Sequence, residues 1–106
     1  MFGWRLARVE GDSMSPTLSD GDYVFARRKV ASLGDVVLIR HMNLGLIVKR
    51  ICKIDETQHY TVAGDNPRST SSDAMGLIPA EAIVGVVCWR VSPDGIRKVR
   101  CDGVAP

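Results

Sequence analysis

No apolar run in this 106-residue chain is long enough to cross a bilayer. The longest run covers residues 82–89, far fewer than the roughly 20 residues of a membrane-spanning helix. The first residues also lack the apolar core of a secretory signal peptide. We therefore expect a cytoplasmic protein without a stable membrane anchor.

Cysteine and net charge are also scarce, and each limits the possible partners. The three cysteines, Cys52, Cys88 and Cys101, are odd in number and widely spaced, which fits neither a disulfide framework nor a zinc site. We expect Cys52 and Cys88 to be small core residues, and we expect no metal and no cofactor. A net charge of +2 is too small to indicate a nucleic-acid partner.

The hydrophobic pattern predicts one all-β domain over residues 1–106, with a frayed tail at residues 101–106. Short alternating segments separated by Gly, Pro and Asp turns predict strands at residues 4–10, 23–26, 36–40, 46–54, 60–63, 84–91 and 96–100. One helical turn is expected at residues 79–83. Many short strands with frequent turns favour a folded sheet or a partly open barrel.

The stretch EGDSMSPTL places Ser13 in a tight turn directly after the first predicted strand. Pro16 prevents regular strand pairing just behind it. A serine held in this way is a candidate nucleophile, provided that a base and oxyanion donors lie nearby. A polar turn between two strands is the simpler alternative for this stretch alone.

The fourth predicted strand, GLIVKRICKI, supplies a candidate base. Period-two alternation puts Ile47, Lys49 and Ile51 on one face. If that face is buried, the pKa of Lys49 falls from its usual value of about 10.4, and the neutral amine can accept a proton. Alternatively, the lysine extends its amine into water while its stem packs on the isoleucines.

The polar loop GDNPRSTSSDAMG could support such a pair. Asp65 and Asn66 can brace the turn through hydrogen bonds to the backbone, while Ser71 and Asp73 could orient a neutral lysine amine. An ordinary surface loop would have a similar composition.

Together these stretches resemble signal peptidase I, because SMSPTL, GDVVLIR, VKRI and GDN, followed by a serine and an aspartate, occur in that family's order. The self-cleaving domains of LexA-type and phage repressors, which form a related clan, are similar as well. The resemblance covers about residues 9–87. It implies a signal-peptidase- or LexA-like fold with Ser13 and Lys49 as a catalytic dyad.

The resemblance also implies the surrounding roles. Hydrolysis would proceed through an acyl-enzyme, Ser71 would hold the lysine amine, and an extended peptide segment of a precursor protein would be the partner. The expected substrate contacts are Met14, Ile47 and Val48. The short length and the form GDNP at residues 64–67 look like the small maturation protease of nickel-type superoxide dismutase, which trims a leader from its precursor.

Two departures from the family pattern concern the site. Gly11 stands where many signal peptidases have a serine that donates to the oxyanion, so this position has no side-chain donor. The backbone at Gly11 and Ser13 can still donate, and the sequence does not identify a second donor. Met75 stands where the last family motif has an arginine.

Three alternatives stay open. Signal-peptidase-like processing of exported preproteins is the first. A non-enzymatic repressor-type regulatory or dimerisation module is the second. It would need a DNA-binding helix-turn-helix upstream, and only residues 1–8 precede the serine motif here. A serine hydrolase that uses His41 or His59 as its base is the third, but both histidines are expected at the surface. The pattern does not indicate the oligomeric state.

Overall fold

The structure is a computed structural model that describes residues 3–68 and 75–99. Its elements, in chain order, are β1 (Trp4–Arg8), β2 (Tyr23–Arg27), β3 (Val36–His41), β4 (Gly45–Ile54), β5 (His59–Ala63), β6 (Ile78–Pro79), a 3₁₀ turn (Ala80–Ala82), β7 (Ile83–Ser92) and β8 (Gly95–Lys98). The prediction of an all-β chain is confirmed. Strand β6 has two residues, too few to produce an alternating pattern, so the sequence did not reveal it.

Within the described ranges, the eight strands form one antiparallel sheet in the order β1-β2-β7-β3-β4-β5-β6. Strand β7 lies between β2 and β3, and β8 pairs with the last residues of β7. No helix in these ranges has the length and apolar composition of a membrane span.

The sheet is buried on both faces near its centre. Val36 and Leu38 of β3 point into one core cluster, while Val37 and Ile39 point into a second cluster on the other face. Strands that are buried on both sides carry continuous apolar runs, which explains why β3 begins VVLI rather than alternating. The two cores hold Met14 and Leu18 on one face, and Ile51 and Met75 on the other.

Two bulges interrupt the strand pairing, and each has a cysteine as its extra residue. The β4–β5 register shifts between Ile51 and Lys53, so Cys52 is the extra residue and is exposed. The β2–β7 register shifts between Phe25 and Ala26, so Cys88 is the extra residue of β7, and it is half-buried. Each thiol donates to the carbonyl two residues back, at 3.6 Å for Cys52 and 3.4 Å for Cys88. The expectation that both are core residues was therefore wrong for Cys52, because a bulge interrupts the alternation on which it relied.

The buried centre of β3 generates a stability prediction. Leu38 is 1% exposed, so Leu38→Ala should lower the free energy of unfolding by about 2–5 kcal/mol through lost burial and a residual cavity. Leu33, which is 43% exposed, gives the matched control, and Leu33→Ala should cost less than about 1 kcal/mol. Urea unfolding followed by far-UV circular dichroism measures both. Equal losses would contradict the placement of the core.

Candidate functional site

The turn that carries Ser13 is anchored on the core. Strand β1 ends at Arg8, and Gly11 then adopts a φ of +81°, a left-handed conformation that favours glycine. The Gly11 N–H donates to Asp20 Oδ1 at 2.7 Å. Met14, directly after Ser13, is 1% exposed and packs in the first core cluster. Ser13 itself is half-buried, so a fixed backbone presents its side chain beside the core.

Lys49 is buried on β4, and none of the carboxylates in residues 3–68 and 75–99 pairs with it. It lies opposite Val37 on β3, and it is 4% exposed. No described residue forms an ion pair or a side-chain hydrogen bond with it. Burial lowers the pKa of the Lys49 amine from its usual value. A lysine in this environment is set up to lose its proton more readily than one in water.

Ser13 and Lys49 line the same cleft, whose volume is about 510 Å³. The three predicted substrate contacts, Met14, Ile47 and Val48, line it as well. The remaining walls come from the end of β1, the start of β4 and Met75; their residues are Arg8, Val9, Glu10, Leu44 and Leu46. The fold thus brings together two motifs that are far apart in sequence.

The direct hydrogen bond expected between Ser13 Oγ and Lys49 Nζ is not among those made by the described residues. Catalytic hydrogen bonds of ligand-free sites are commonly long and tighten only when substrate binds. The catalytic pairing of the two side chains therefore stays a prediction.

Asn66 holds the backbone on both sides of the Ser13 peptide. Its N–H donates to the Ser13 carbonyl at 2.9 Å, and its Nδ2 donates to the Asp12 carbonyl at 3.0 Å. The Asn66 Oδ1 in turn accepts from the Arg68 N–H at 3.0 Å, which closes the local turn. The GDN segment thus fixes the serine turn from outside.

Asp65 joins the serine turn to β4. Arg50 Nε and Nη2 donate to the two oxygens of Asp65 at 2.8 Å each, and Thr17 Oγ1 donates to Oδ2. A third donor of the guanidinium, Arg50 Nη1, reaches the Gly34 carbonyl at 2.8 Å. Burial would raise the pKa of Asp65, but the hydrogen bonds from Arg50 and Thr17 and the charge of Arg50 lower it overall.

Arg50 and Thr17 were missed by the sequence analysis. The signal was present in the motifs VKRI and SMSPTL, which contain them, but only the fold shows that one carboxylate binds both. Sequence-distant partners of this kind cannot be paired from local pattern alone.

A second arginine holds the other end of the serine segment. Arg90 of β7 donates from Nε to Asp22 Oδ2 at 2.6 Å. Its Nη1 and Nη2 reach the Thr17 carbonyl at 3.2 Å and Ser19 Oγ at 3.3 Å. The segment after Ser13 is therefore fastened to the sheet by Arg90 and to the GDN loop by Asp65.

Met75 forms an apolar wall where the family pattern has an arginine. It is 6% exposed and lines the cleft. Ser71 and Asp73, the other predicted members of this motif, lie outside the described residues.

The histidines have other roles in the described structure. His41 Nδ1 accepts from the N–H groups of Asn43 and Leu44, so its Nε2 carries the proton and donates to the Met75 carbonyl at 3.1 Å. His59 Nδ1 lies 2.9 Å from Thr57 Oγ1. Neither histidine lines the cleft with Ser13. Among residues 3–68 and 75–99, no group of three or more His, Cys, Asp or Glu could hold a metal ion.

Comparison with known proteins agrees with this geometry. The family model described as Peptidase S24-like matches residues 4–88, which include β1, the serine turn, the buried lysine and most of β7. The chain belongs to the Peptidase S24-like family. This membership places the S24-like chain in the clan of LexA and signal peptidases, and it supports a serine peptidase or a LexA-like module. A search of curated proteins finds no match.

Asp65 gives this S24-like chain a testable pH dependence. Because the folded pKa of Asp65 lies below the unfolded value of about 3.9, its ionisation stabilises the fold above that value. The stabilisation is lost as the pH falls through the lowered folded pKa. At pH 7, Asp65→Asn should lower the free energy of unfolding by about 1–3 kcal/mol, and the difference from wild type should shrink in acid.

Urea unfolding at a series of pH values between neutral and strongly acid measures this difference. Asp94→Asn, in the exposed β7–β8 turn, is the control and should change the free energy by less than about 0.5 kcal/mol. A loss at Asp65 that stays constant into acid would show that its ionised form is not what stabilises the site.

Proposed function

We propose that this chain is a serine endopeptidase in which Ser13 is the nucleophile and Lys49 the general base. The observation that carries the proposal is that Ser13 and the buried Lys49 line one cleft. Membership of the Peptidase S24-like family supports the same class of reaction.

In the proposed reaction, the neutral Lys49 amine removes the proton from Ser13 Oγ, which attacks the scissile carbonyl carbon. The oxyanion rests on the Ser13 N–H, for which no described residue is an acceptor. The Gly11 N–H is bound to Asp20, so it would have to leave that carboxylate to join the oxyanion site. The charged Lys49 then protonates the leaving amine, and the acyl-enzyme forms.

Deacylation uses the same two residues. The neutral Lys49 removes a proton from a water molecule, the hydroxide attacks the ester carbonyl, and Ser13 Oγ leaves with the proton. Asp65 and Asn66 are positioning residues in this scheme, because they hold the serine turn and do not line the cleft.

The substrate we propose is an extended peptide segment. Strand β5 pairs with β4 only from Arg50 onward, so the described residues leave one edge of β4 unpaired between Gly45 and Lys49. That edge borders the cleft, and an extended peptide could add to it through backbone hydrogen bonds. Met14, Ile47 and Val48 would contact its side chains.

Ser13 and Lys49 can be tested by substitution. Ser13→Ala and Lys49→Ala should each lower peptide cleavage by about 100-fold or more, and Lys49→Arg should fail as well because guanidinium keeps its proton. Since burial lowers the pKa of Lys49, wild-type activity should rise with pH as the amine loses its proton. A fluorogenic peptide assay across the pH range measures both effects.

Lys53→Ala supplies the matched control, because Lys53 is an exposed lysine on the same strand and should be dispensable. The dyad would be refuted if Lys49→Ala retained most activity while His41→Ala or His59→Ala abolished it.

The finer proposal is that the chain removes an N-terminal leader from a cytoplasmic precursor, with the nickel superoxide dismutase precursor as the first candidate. Chain termini are commonly disordered and would supply the flexible segment that a narrow cleft requires. Incubation of purified enzyme with that precursor, followed by mass spectrometry, should show one cut at the leader junction and none with Ser13→Ala. Cleavage of exported preproteins instead would favour a signal-peptidase role, and cleavage of neither would favour a LexA-like module.

A further inference from the structure

One side of the sheet beyond the second core is rich in aromatic side chains, and residues 3–68 and 75–99 leave it exposed. Leu6, Phe25, Trp89 and Lys98 lie directly opposite one another on β1, β2, β7 and β8, so their side chains share a face. Val86, on the same side of β7, is buried under the second core cluster, whereas Trp89 is 39% exposed. We call the outer side of β1, β2, β8 and residues 89–91 the aromatic–basic face.

Aromatic residues of the described chain concentrate on this face. Both tryptophans belong to it, since Trp4 lies opposite Arg27 on the edge of the same surface. Tyr23 and Trp4 are 44% and 36% exposed, so each presents part of a large aromatic side chain to solvent. Exposed apolar area that is this contiguous commonly marks an interaction site.

The charge of these strands is one-sided. Strands β1, β2, β7 and β8 contain no aspartate or glutamate, and their six basic residues are Arg5, Arg8, Arg27, Arg90, Arg97 and Lys98. Three of the six, Arg8, Arg27 and Lys98, belong to the aromatic–basic face by register. The small net charge of +2 conceals this asymmetry, because all acidic residues lie elsewhere in the chain. An acidic partner is therefore favoured, and pairing with a second copy of the same face would bring like charges together.

The face is continuous with the cleft. Arg8 stands opposite Tyr23 on the face, and Arg8, Val9 and Glu10 also line the cleft beside Ser13. A polypeptide that leaves the cleft past the end of β1 therefore reaches this surface first. From β1 to β8 the face is about 15 Å wide, since neighbouring strands lie about 4.8 Å apart, and about five extended residues would cross it.

We propose that the aromatic–basic face is an exosite for the substrate polypeptide, which binds a flanking segment that alternates acidic and apolar residues. The proposal rests on the proposed function, because the cleft is taken as the place where the same chain is cut. Acidic side chains would pair with Arg27 and Lys98, and apolar ones would pack on Trp89 and Tyr23. The cleft would then determine which peptide bond is cut, while the face would determine which protein is bound.

A binding experiment tests the face without any cleavage. The Ser13→Ala variant is titrated into a fluorescein-labelled octapeptide that alternates glutamate with leucine and tryptophan, and anisotropy is followed. We expect saturable binding that weakens with salt and is at least tenfold tighter than for the same peptide with lysine in place of glutamate. Equal binding of the two peptides, or no binding of either, would overturn the exosite whether or not the chain is a peptidase.

A charge-matched pair of variants locates the binding. Lys98→Glu should weaken binding of the acidic octapeptide about fivefold, whereas Lys53→Glu, which makes the same change of charge on the far part of the sheet, should change it less than twofold. Trp89→Ala should weaken binding without any change in charge. Circular dichroism checks that each variant is folded, and an equal effect of Lys53→Glu would overturn the assignment to this face.

Kinetics then connect the face to the cleft. With a cleaved peptide and the same peptide carrying the acidic extension, the extension should lower KM about tenfold and leave kcat unchanged. In the Arg27→Glu/Lys98→Glu variant, the extended and the unextended peptide should have the same KM. Two other occupants are tested with vesicles of phosphatidylserine and phosphatidylcholine and with oligothymidylate. If either bound with the same dependence on Lys98 while the octapeptide did not bind, the occupant of the face would be a bilayer or a nucleic acid, and the peptide exosite would be overturned.

Discussion

The candidate site depends on the burial of Lys49 in the sheet. The residue is 4% exposed and pairs with no carboxylate among the described residues, so burial disfavours its charged form and lowers its pKa. The neighbouring residue, Arg50, is buried as well, but it makes a bidentate pair with Asp65. Period-two alternation separates the two cations, since successive side chains of β4 point to opposite faces. The Asp65 carboxylate, which binds Arg50, is thereby kept away from Lys49, where it would favour the charged amine and raise its pKa.

The same strand also fixes the position of the serine turn. Arg50 holds Asp65, Asp65 accepts a hydrogen bond from Thr17, and the adjacent Asn66 binds the carbonyl of Ser13. Displacement of the GDN loop would therefore move the turn relative to Lys49. Arg90 adds a second attachment from β7 through Asp22. A small domain can in this way hold Ser13 and Lys49 beside one cleft although no hydrogen bond joins them directly.

Much of this arrangement could be predicted from sequence, because it is local. The strands follow from alternation and turn residues, and a shared face for Ile47, Lys49 and Ile51 follows from the period of a strand, whereas the burial of Lys49 was one of two alternatives. Other features depend on contacts between distant segments. The bulge at Cys52, the Arg50–Asp65–Thr17 contacts and the two-residue β6 have no local signature, so the sequence alone did not reveal them.

The aromatic–basic face shows the same limit more clearly. Trp4, Tyr23 and Trp89 come from three different strands. A net charge of +2 does not indicate that four strands contain no acidic residue. Net charge describes a whole chain, whereas a binding surface depends on which strands become neighbours. The order β1-β2-β7, which places β7 directly beside β2, creates this surface.

The most direct test of the central claim is the protonation state of Lys49 itself. A titration of ¹³C-labelled lysine side chains, followed by NMR at the Cε carbon and assigned with Lys49→Arg, measures the pKa of this amine without a substrate. Burial predicts an inflection clearly below the value of about 10.4 found for lysine in unfolded chains, for which the same protein in urea is the reference. An inflection for Lys49 at or above that reference would mean that the amine is charged at neutral pH, and it would contradict a lysine base for Ser13.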